Sequence, residues 1–374
     1  MATFKRKVLY VGGFDPRGVR FYYALYKEAV GRFVARTGKT VEVSNRRRVS
    51  PIRHDWTVAN ATDDVATDYS FLRWEDLVQR AWIRNPFALA LAAVRTYAGL
   101  VRHIDVPLGK SVPKGPIITM FYPPLASVLL PLLLGLLPFL LALIWLPWWA
   151  ALVIGAGVGI AIATPILKRA HTPWLLRFFI FNLGPKSNEA DPAMAERLDR
   201  FADEIGAALD ADYDEVLVVT HSNGSILAVP LMTRLLAARG GAMPAHFALV
   251  TFGQCIPLAI ARKTATGFRD QLRALGDGDF RWVDIGSPPD GAAFHNVDTV
   301  SLVGGKGRPR LDMLSPRFHL FYDPETYHSG WSNKYDVHFD YLRVADRISP
   351  LDYPSITTAP YGIDASVAAF RAIP

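Results

Sequence analysis

A serine lies between an apolar run and a helix-like stretch in "VLVVTHSNGSILAV", residues 216–229. The run before it is rich in β-branched residues and predicts a buried strand, whereas the residues after it predict a helix. A sharp strand-to-helix turn pushes a serine hydroxyl above the strand ends, where it can act as a nucleophile. Such a turn needs small residues two positions before and after the serine. Gly224 is small, and Thr220 is bulkier than the usual glycine. The pattern favours Ser222 as a nucleophile over a hydroxyl in an ordinary loop.

The segment Thr-His-Ser-Asn-Gly in this setting resembles the α/β-hydrolase superfamily, and within it the lipase-like and esterase-like members. Histidine before the serine, as His221 here, is common in that superfamily, and some members have threonine where Thr220 stands. The resemblance covers about residues 5–60 and 190–345. It implies an α/β fold with a mostly parallel sheet flanked by helices, and a catalytic triad in the chain order serine, acid, histidine.

The resemblance implies an acidic residue after a later strand. The stretch "FRWVDIGSPPDGAAF" offers Asp284 within the strand and Asp290 in the loop beyond it. Asp290 is favoured because a side chain at the exit of a strand can reach a histidine. Asp284 remains the alternative, and "PPDG" is also an ordinary turn composition.

The resemblance places the catalytic histidine last. His338 fits because it stands just before an apparent helix, "FDYLRVADRI", and His328 is the second choice. His295 and His319 are further candidates, and any one of them taken alone suits a surface or hydrogen-bonded core position. The histidine would take the proton from Ser222, and the aspartate would fix its tautomer.

A developing oxyanion needs preorganised hydrogen-bond donors. The expected donors are the main-chain N–H of Asn223 and that of Phe14, in the glycine-containing loop "GGFDPRG" after the first strand. No cofactor and no metal ion is expected.

The elements that must position these residues can be traced along the chain. "KVLYVG" and "KTVEVSNR" predict strands, and the stretch between them predicts a helix that ends at Gly38. "DYSFLRWEDLVQRAWI" predicts a second helix, capped by Ser70 or Asp68. A later helix begins with Asp191 as its cap and Pro192 at its first position. "HFALVTFG" and "FRWVDIG" predict further strands. Alternating strands and helices are typical of an α/β fold with a parallel sheet.

The stretch from Gly115 to Leu167 contains no charged residue. Within it, residues 123–145 and 148–167 are each long enough to cross a hydrocarbon core of about 30 Å as a helix. A tryptophan-rich turn, typical of the membrane interface, joins them. The flanking residues on both sides are basic, namely Arg102, Lys110 and Lys114 before the pair and Lys168, Arg169 and Arg177 after it. These flanks predict a transmembrane hairpin with both ends in the cytoplasm, and the alternative is a buried helical hairpin of a soluble protein.

The neighbouring stretches 86–101 and 173–184 are apolar but contain arginine, which favours interfacial segments lying on the membrane. The expected organisation is therefore a hydrolase domain in two parts, 1–85 and 185–374, with a membrane insertion over 86–184. "GAGVG" lies inside an apolar segment, so its small residues favour close helix packing over a dinucleotide site.

Composition bounds the partners and the compartment. The net charge of +7 includes a cluster at Arg46, Arg47 and Arg48 and another in "KGRPR". No nucleic-acid-binding motif accompanies these clusters, so anionic lipid is the expected partner and nucleic acid is not. The lone Cys255 excludes an internal disulfide and is expected to be a buried small hydrophobe. The start of the chain lacks the apolar run of a secretory signal, which predicts a cytoplasmic first strand.

Together these features predict an integral membrane serine hydrolase that cleaves lipid or lipophilic acyl esters through an acyl-enzyme, with its catalytic domain and both termini in the cytoplasm. The hairpin would serve as a lid over the site or only as an anchor. The alternatives are an acyltransferase that uses the same triad and a non-catalytic membrane scaffold that retains a hydrolase-like domain.

Overall fold

The computed structural model describes residues 3–184, 191–307, 309–330 and 334–374, and the side chains among them except those of 328–330 and 334. The chain divides into two compact units. The first comprises Met1–Trp82, His103–Pro113 and Lys186–Pro374, and the second comprises Ile83–Arg102 and Lys114–Pro185. Residues 103–113 therefore group with the first unit rather than with the segments that flank them.

The strands of the first unit form one sheet. They are β1 Phe4–Val11, β2 Val41–Val43, β3 Arg47–Ser50, β4 Arg53–Asn60, β5 Val65–Leu72, β6 Glu215–His221, β7 Phe247–Phe252, β8 Arg281–Ile285 and β9 Arg310–Leu314. Their order is β2-β4-β5-β1-β6-β7-β8-β9, with β3 paired to β4. The strands from β5 to β9 in this order run parallel, and β2, β3 and β4 add antiparallel pairs at one edge. The expectation of an α/β fold with a mostly parallel sheet is confirmed.

The described residues also form sixteen α-helices. They are α1 Val19–Thr37, α2 Glu75–Ala81, α3 Pro86–His103, α4 Val106–Lys110, α5 Lys114–Ala142, α6 Trp148–Arg169, α7 Thr172–Leu183, α8 Pro192–Leu209, α9 Gly224–Ala238, α10 Ile256–Ala259, α11 Thr266–Ala274, α12 Phe318–Phe321, α13 Pro324–Gly330, α14 Lys334–Phe339, α15 Tyr353–Thr358 and α16 Ile363–Arg371.

Local signals in the sequence define several of these boundaries. Gly38 ends α1 in the left-handed conformation, with φ of 69°, and its N–H donates to the carbonyl of Val34. This is the usual role of glycine after a helix, because it has no Cβ to clash there. Asp191 caps α8, since its carboxylate accepts a hydrogen bond from the N–H of Ala193. Both predicted boundaries are confirmed. Every residue of β6, β7 and β8 is buried, as expected for central strands of a sheet covered on both faces.

The helix predicted from residue 68 onward is wrong in its first part. Residues Val65–Leu72 form strand β5, which pairs antiparallel with β4 along its whole length. Ser70 does not cap a helix: its hydroxyl donates to Asp55 on β4, and Asp68 accepts from Tyr213. The helix α2 begins only at Glu75. The sheet overrides the local helical pattern because β5 pairs with β4 on one side and with β1 on the other. This pairing buries the aromatic side chains of Tyr69 and Phe71 on one face of the sheet.

The second unit contains the two long apolar helices. Both α5 and α6 are long and apolar enough to cross a membrane. Small residues at every fourth position of α6, namely Ala151, Gly155, Gly159 and Ala163, are buried. A Cβ on Gly155 would lie 2.7 Å from Cβ of Phe139 on α5, and one on Gly159 would collide with the carbonyl oxygen of Pro131. The glycines of "GAGVG" therefore permit close contact between two helices, as the sequence predicts.

Candidate active site

The backbone at Ser222 has the geometry of a strained turn. Ser222 directly follows β6, has φ of +56°, and is followed by α9, which begins at Gly224. A residue other than glycine rarely adopts positive φ, and such strain concentrates at functional sites. The turn is held to the next strand, since the N–H of Ser222 donates to the carbonyl of Phe252, at 2.9 Å. This strand–turn–helix arrangement is the one that the sequence predicts around Ser222.

Close packing against the loop after β1 explains why glycine is needed near this turn. A Cβ on Gly224 would collide with the carbonyl oxygen of Val11. A Cβ on Gly13 would lie 3.0 Å from Cβ of Ser222 and 3.3 Å from its Oγ. The loop is held in place by Trp74, whose indole N–H donates to the carbonyl of Gly12 at 2.9 Å. The bulkier Thr220 is accommodated within β6, where it is fully buried.

Asp290 and His338 are brought together, although 48 positions separate them in the chain. Nδ1 of His338 lies 2.8 Å from Oδ2 of Asp290, and both side chains are buried. A carboxylate can only accept here, so Nδ1 carries the proton and Nε2 is left as the free acceptor. Nε2 of His338 is buried and has no hydrogen-bond partner among the described residues. Asp290 lies in the loop beyond β8, as predicted, whereas His338 lies inside α14 rather than in a loop before a helix.

Asp290 is held as an ionised acceptor by several donors. Its carboxylate accepts hydrogen bonds from His338, from the hydroxyl of Tyr341 at 3.0 Å and from the N–H of Ala292 at 2.9 Å. Burial by itself raises the pKa of Asp290, but the charge of His338 and these hydrogen bonds outweigh it and lower the pKa below its ordinary value. Asp290 is thus a stable negative partner for a histidine that takes up a proton.

Tyr341 is a site residue that sequence reasoning missed. Besides donating to Asp290, its hydroxyl accepts a hydrogen bond from the N–H of Ser287 at 2.9 Å. It therefore ties the acid loop to the segment that carries His338. The spacing of the two residues could have indicated this contact, because a residue three positions after a histidine in a helical segment lies close to it.

His221 is a second histidine beside the serine, and its surroundings exclude it as the base. Burial lowers the pKa of His221 to about 3, so its ring is neutral at physiological pH. Its Nε2 lies 2.8 Å from the main-chain carbonyl oxygen of His338, to which it donates. The rings of His221 and His338 are 4.9 Å apart. His221 therefore links the strand end that precedes Ser222 to the main chain of His338.

Ser222 is linked to His338 through its neighbour His221 rather than by a direct hydrogen bond. No hydrogen bond joins Oγ of Ser222 to Nε2 of His338 among the described residues. Such bonds are often long in unliganded sites and tighten when substrate binds.

The predicted oxyanion donors, Asn223 and Phe14, belong to two segments that lie beside Ser222. Asn223 directly follows Ser222 at the start of α9, and its main-chain N–H makes no hydrogen bond with any described residue. Phe14 follows Gly13, the residue that contacts Ser222, and its ring stacks on Trp82 with centroids 5.7 Å apart. The two segments that carry these N–H groups therefore meet at the serine.

The other sequence candidates lie elsewhere. Asp284 stays on β8 and accepts a hydrogen bond from Thr251 at 2.5 Å, with no bond to His338. His295 is partly buried and makes no described hydrogen bond to Asp290. His319 lies on α12, with its ring near Tyr327. The side chain of His328 lies outside the described residues.

Cys255 is buried, and burial raises its pKa to about 12, so its thiol is protonated at neutral pH.

The buried environment of Asp284 can be tested without an activity assay. Burial raises the pKa of Asp284 to about 7. Between pH 4 and 7 the folded chain keeps a proton that the unfolded chain releases, so this residue lowers stability as the pH rises. We expect Asp284→Asn to gain in free energy of unfolding relative to the wild type across this window, by up to ~1.4 kcal/mol per pH unit. Urea unfolding at pH 5 and pH 8 measures the difference, and parallel pH profiles for the two proteins would contradict the assignment.

Comparison with known proteins gives no match: no family model, no curated protein and no solved structure matches this chain. The site has to be interpreted from its own geometry. Among the described residues no group of three or more His, Cys, Asp or Glu side chains is placed to hold a metal ion. What the described residues do bring together is a serine on a strained turn, a main-chain N–H beside it, and a buried histidine paired with a carboxylate.

Proposed function

We propose that this protein is a membrane-anchored serine hydrolase of the α/β-hydrolase type, which cleaves lipid or lipophilic acyl esters through an acyl-enzyme. The observation that carries the proposal is the pairing of His338 with Asp290, together with the hydrogen bond from His221, the residue before Ser222, to the main chain of His338. A buried histidine with a carboxylate on Nδ1 and an open Nε2 is suited to general-base catalysis.

The steps follow from these groups. Nε2 of His338 takes the proton of the Ser222 hydroxyl as Oγ attacks the ester carbonyl carbon. The N–H groups of Asn223 and Phe14 stabilise the oxyanion, and the proton on His338 then passes to the leaving alcohol as the ester bond breaks. Water, deprotonated by the same histidine, attacks the acyl-serine, which releases the fatty acid and restores the hydroxyl. Asp290 stabilises the imidazolium in both halves of the reaction.

The apolar helices support membrane anchoring. Leucines on α5 are more than half exposed, among them Leu132 at 64%, Leu133 at 68% and Leu137 at 64%. Contiguous apolar surface of this kind is rare on soluble monomers and is suited to lipid contact. The hairpin insertion and the interfacial role of residues 86–101 and 173–184 are part of the proposal. A transmembrane hairpin would hold the enzyme at the membrane, where lipophilic esters are concentrated.

The topology of the hairpin can be tested by labelling. Because basic residues flank both ends, we expect cysteines introduced at Lys110 and Lys168 to react with an impermeant maleimide from the same, cytoplasmic side. The native Cys255 is 2% exposed, so the parent protein should give little background and serves as the control. Labelling from opposite sides, or release of the protein from membranes by alkaline carbonate, would refute the hairpin.

The activity itself is tested with purified protein in detergent. We expect a fluorophosphonate probe to label the wild-type protein and long-chain acyl esters in mixed micelles to be hydrolysed faster than p-nitrophenyl acetate. Absence of both labelling and turnover would overturn the hydrolase proposal. A preference for acetate would leave the hydrolase and remove the lipid substrate. Incorporation of the acyl group into an added alcohol in place of water would identify an acyltransferase.

A further inference from the structure

A positively charged cleft of about 300 Å³ lies in the first unit, and none of Ser222, Asp290 and His338 lines it. It is lined by residues at the start of α1, by the β3–β4 edge of the sheet and by the segment that leads into α2. Five arginines and one carboxylate stand on its walls: Arg17, Arg20, Arg46, Arg48, Arg73 and Glu75. A cleft of this size can hold a small polar headgroup.

Three of these arginines are uncommitted. The side chains of Arg20, Arg46 and Arg48 are exposed and make no hydrogen bond or ion pair with any described residue. The other two are engaged. Arg17 pairs with Asp15, with its Nε 2.9 Å from Oδ1, and Nε of Arg73 lies 2.6 Å from Oε1 of Glu75. The cleft therefore carries more positive charge than its own carboxylate neutralises.

The start of α1 adds a second source of positive potential. Gly18, at φ of +70°, precedes the helix, no side chain caps it, and its first turn contains no acidic residue. The N-terminal N–H groups of such a helix favour an anion. Gly18 is required here, because a Cβ would lie 3.0 Å from Oε1 of Glu75.

His54 contributes a buried polar atom to the wall of the cleft. Its side chain lines the cleft and the residue is only 6% exposed, yet Nδ1 has no hydrogen-bond partner among the described residues. Burial, and after it the charges of Arg73, Arg46 and Arg48, lower the pKa of His54 to about 4. A buried polar atom without a partner calls for a ligand or bound group, and the surrounding charges are those that an anion would offset.

We propose that this cleft binds the phosphate group of an anionic ligand, held by Arg20, Arg46 and Arg48 together with the N-terminus of α1. Several guanidinium groups around one pocket suit phosphate because each can donate two parallel hydrogen bonds to its oxygens. The phosphate belongs to a phospholipid headgroup or to a soluble phosphate. The proposal rests on the cleft alone, so it stands or falls independently of the hydrolase activity.

Arg47 supplies a matched control. It lies between Arg46 and Arg48 and is equally exposed, but it does not line the cleft. The pairing explains this: Arg48 stands opposite His54 on β4, whereas Arg47 stands opposite Asp55, and successive side chains of a strand point to opposite faces. Arg46→Gln, Arg48→Gln and Arg47→Gln therefore make the same change in charge and size, with only the first two in the cleft.

Binding is measured by calorimetry on the full chain in detergent, at fixed ionic strength because surface charges are screened by salt. The probes are inorganic phosphate and dihexanoyl phosphatidic acid below its micellar concentration, with dihexanoyl phosphatidylcholine as the lipid control. We expect at least one phosphate probe to bind the wild type, Arg46→Gln and Arg48→Gln each to weaken it about tenfold or more, and Arg47→Gln to leave it within about twofold.

The two probes distinguish the sources. Binding of phosphatidic acid without inorganic phosphate assigns the cleft to a lipid headgroup, and comparable affinity for both assigns it to a soluble phosphate. No binding of either probe, or equal weakening by all three substitutions, would overturn the proposal. Binding of phosphatidylcholine as tight as that of phosphatidic acid would also overturn it, since the acyl chains alone would then account for the affinity.

Discussion

Replacing Ser222 by alanine is expected to abolish fluorophosphonate labelling and to reduce ester turnover by about 10⁴-fold or more. The reason is that in the proposed mechanism the acyl-enzyme forms only on this hydroxyl. Alanine should leave the turn intact, because it removes only Oγ. This atom makes no hydrogen bond with any described residue, and the turn is held by main-chain groups of Ser222. Labelling is followed by fluorescence after electrophoresis, and turnover by release of fatty acid from long-chain esters.

Ser225→Ala is the matched control for this substitution. Ser225 lies in the first turn of α9, where its Oγ donates to the carbonyl of Ser222 at 2.6 Å and accepts from the N–H of Cys255 at 3.0 Å. Losing these bonds should lower stability, yet the nucleophile remains and labelling should persist. Undiminished turnover by a folded Ser222→Ala protein would refute the serine-hydrolase proposal.

Asp290→Asn and His338→Ala are each expected to lower turnover by about 10⁴-fold. Without His338 no base accepts the serine proton, since His221 is already committed to the carbonyl of His338. Asparagine at 290 would favour the wrong tautomer of His338, because its amide can donate to Nδ1 and leave the proton on Nε2. Initial rates with a long-chain ester, measured beside thermal unfolding, separate this effect from loss of the fold.

The controls for the triad come from nearby residues. Asp284→Asn is the same substitution six positions away, at another buried carboxylate, and should lower turnover far less than Asp290→Asn. Tyr341→Phe removes one hydrogen bond to Asp290 and keeps the His338 pair, so an intermediate loss is expected. His328→Ala is also expected to lose less than His338→Ala. If Asp284 or His328 proved indispensable instead, the hydrolase proposal would survive and the assignment of the triad would be wrong.

The sequence by itself determined the features that depend on a few neighbouring residues. The β6–turn–α9 segment, the end of α1 at Gly38 and the cap at Asp191 each follow from local backbone chemistry. The two long apolar helices follow from composition, because fifty-three consecutive residues without charge leave few other structures. The mostly parallel arrangement of the strands follows from the alternation of strands and helices along the chain.

Only the tertiary structure decided what depends on residues far apart in the chain. The stretch from Asp68 onward carries a helical pattern, but pairing with β4 makes its first part, up to Leu72, a strand, since the sheet satisfies its backbone and buries its aromatic side chains. The choice of Asp290 and His338 needed the loop after β8 and helix α14 to meet, and Tyr341 became visible only there. Three consecutive arginines are equivalent in sequence, and the pleat of β3 is what separates Arg48 from Arg47. Local sequence patterns specify individual helices and strands. A site is formed by contacts between residues far apart in the chain, and local patterns do not indicate which residues those are.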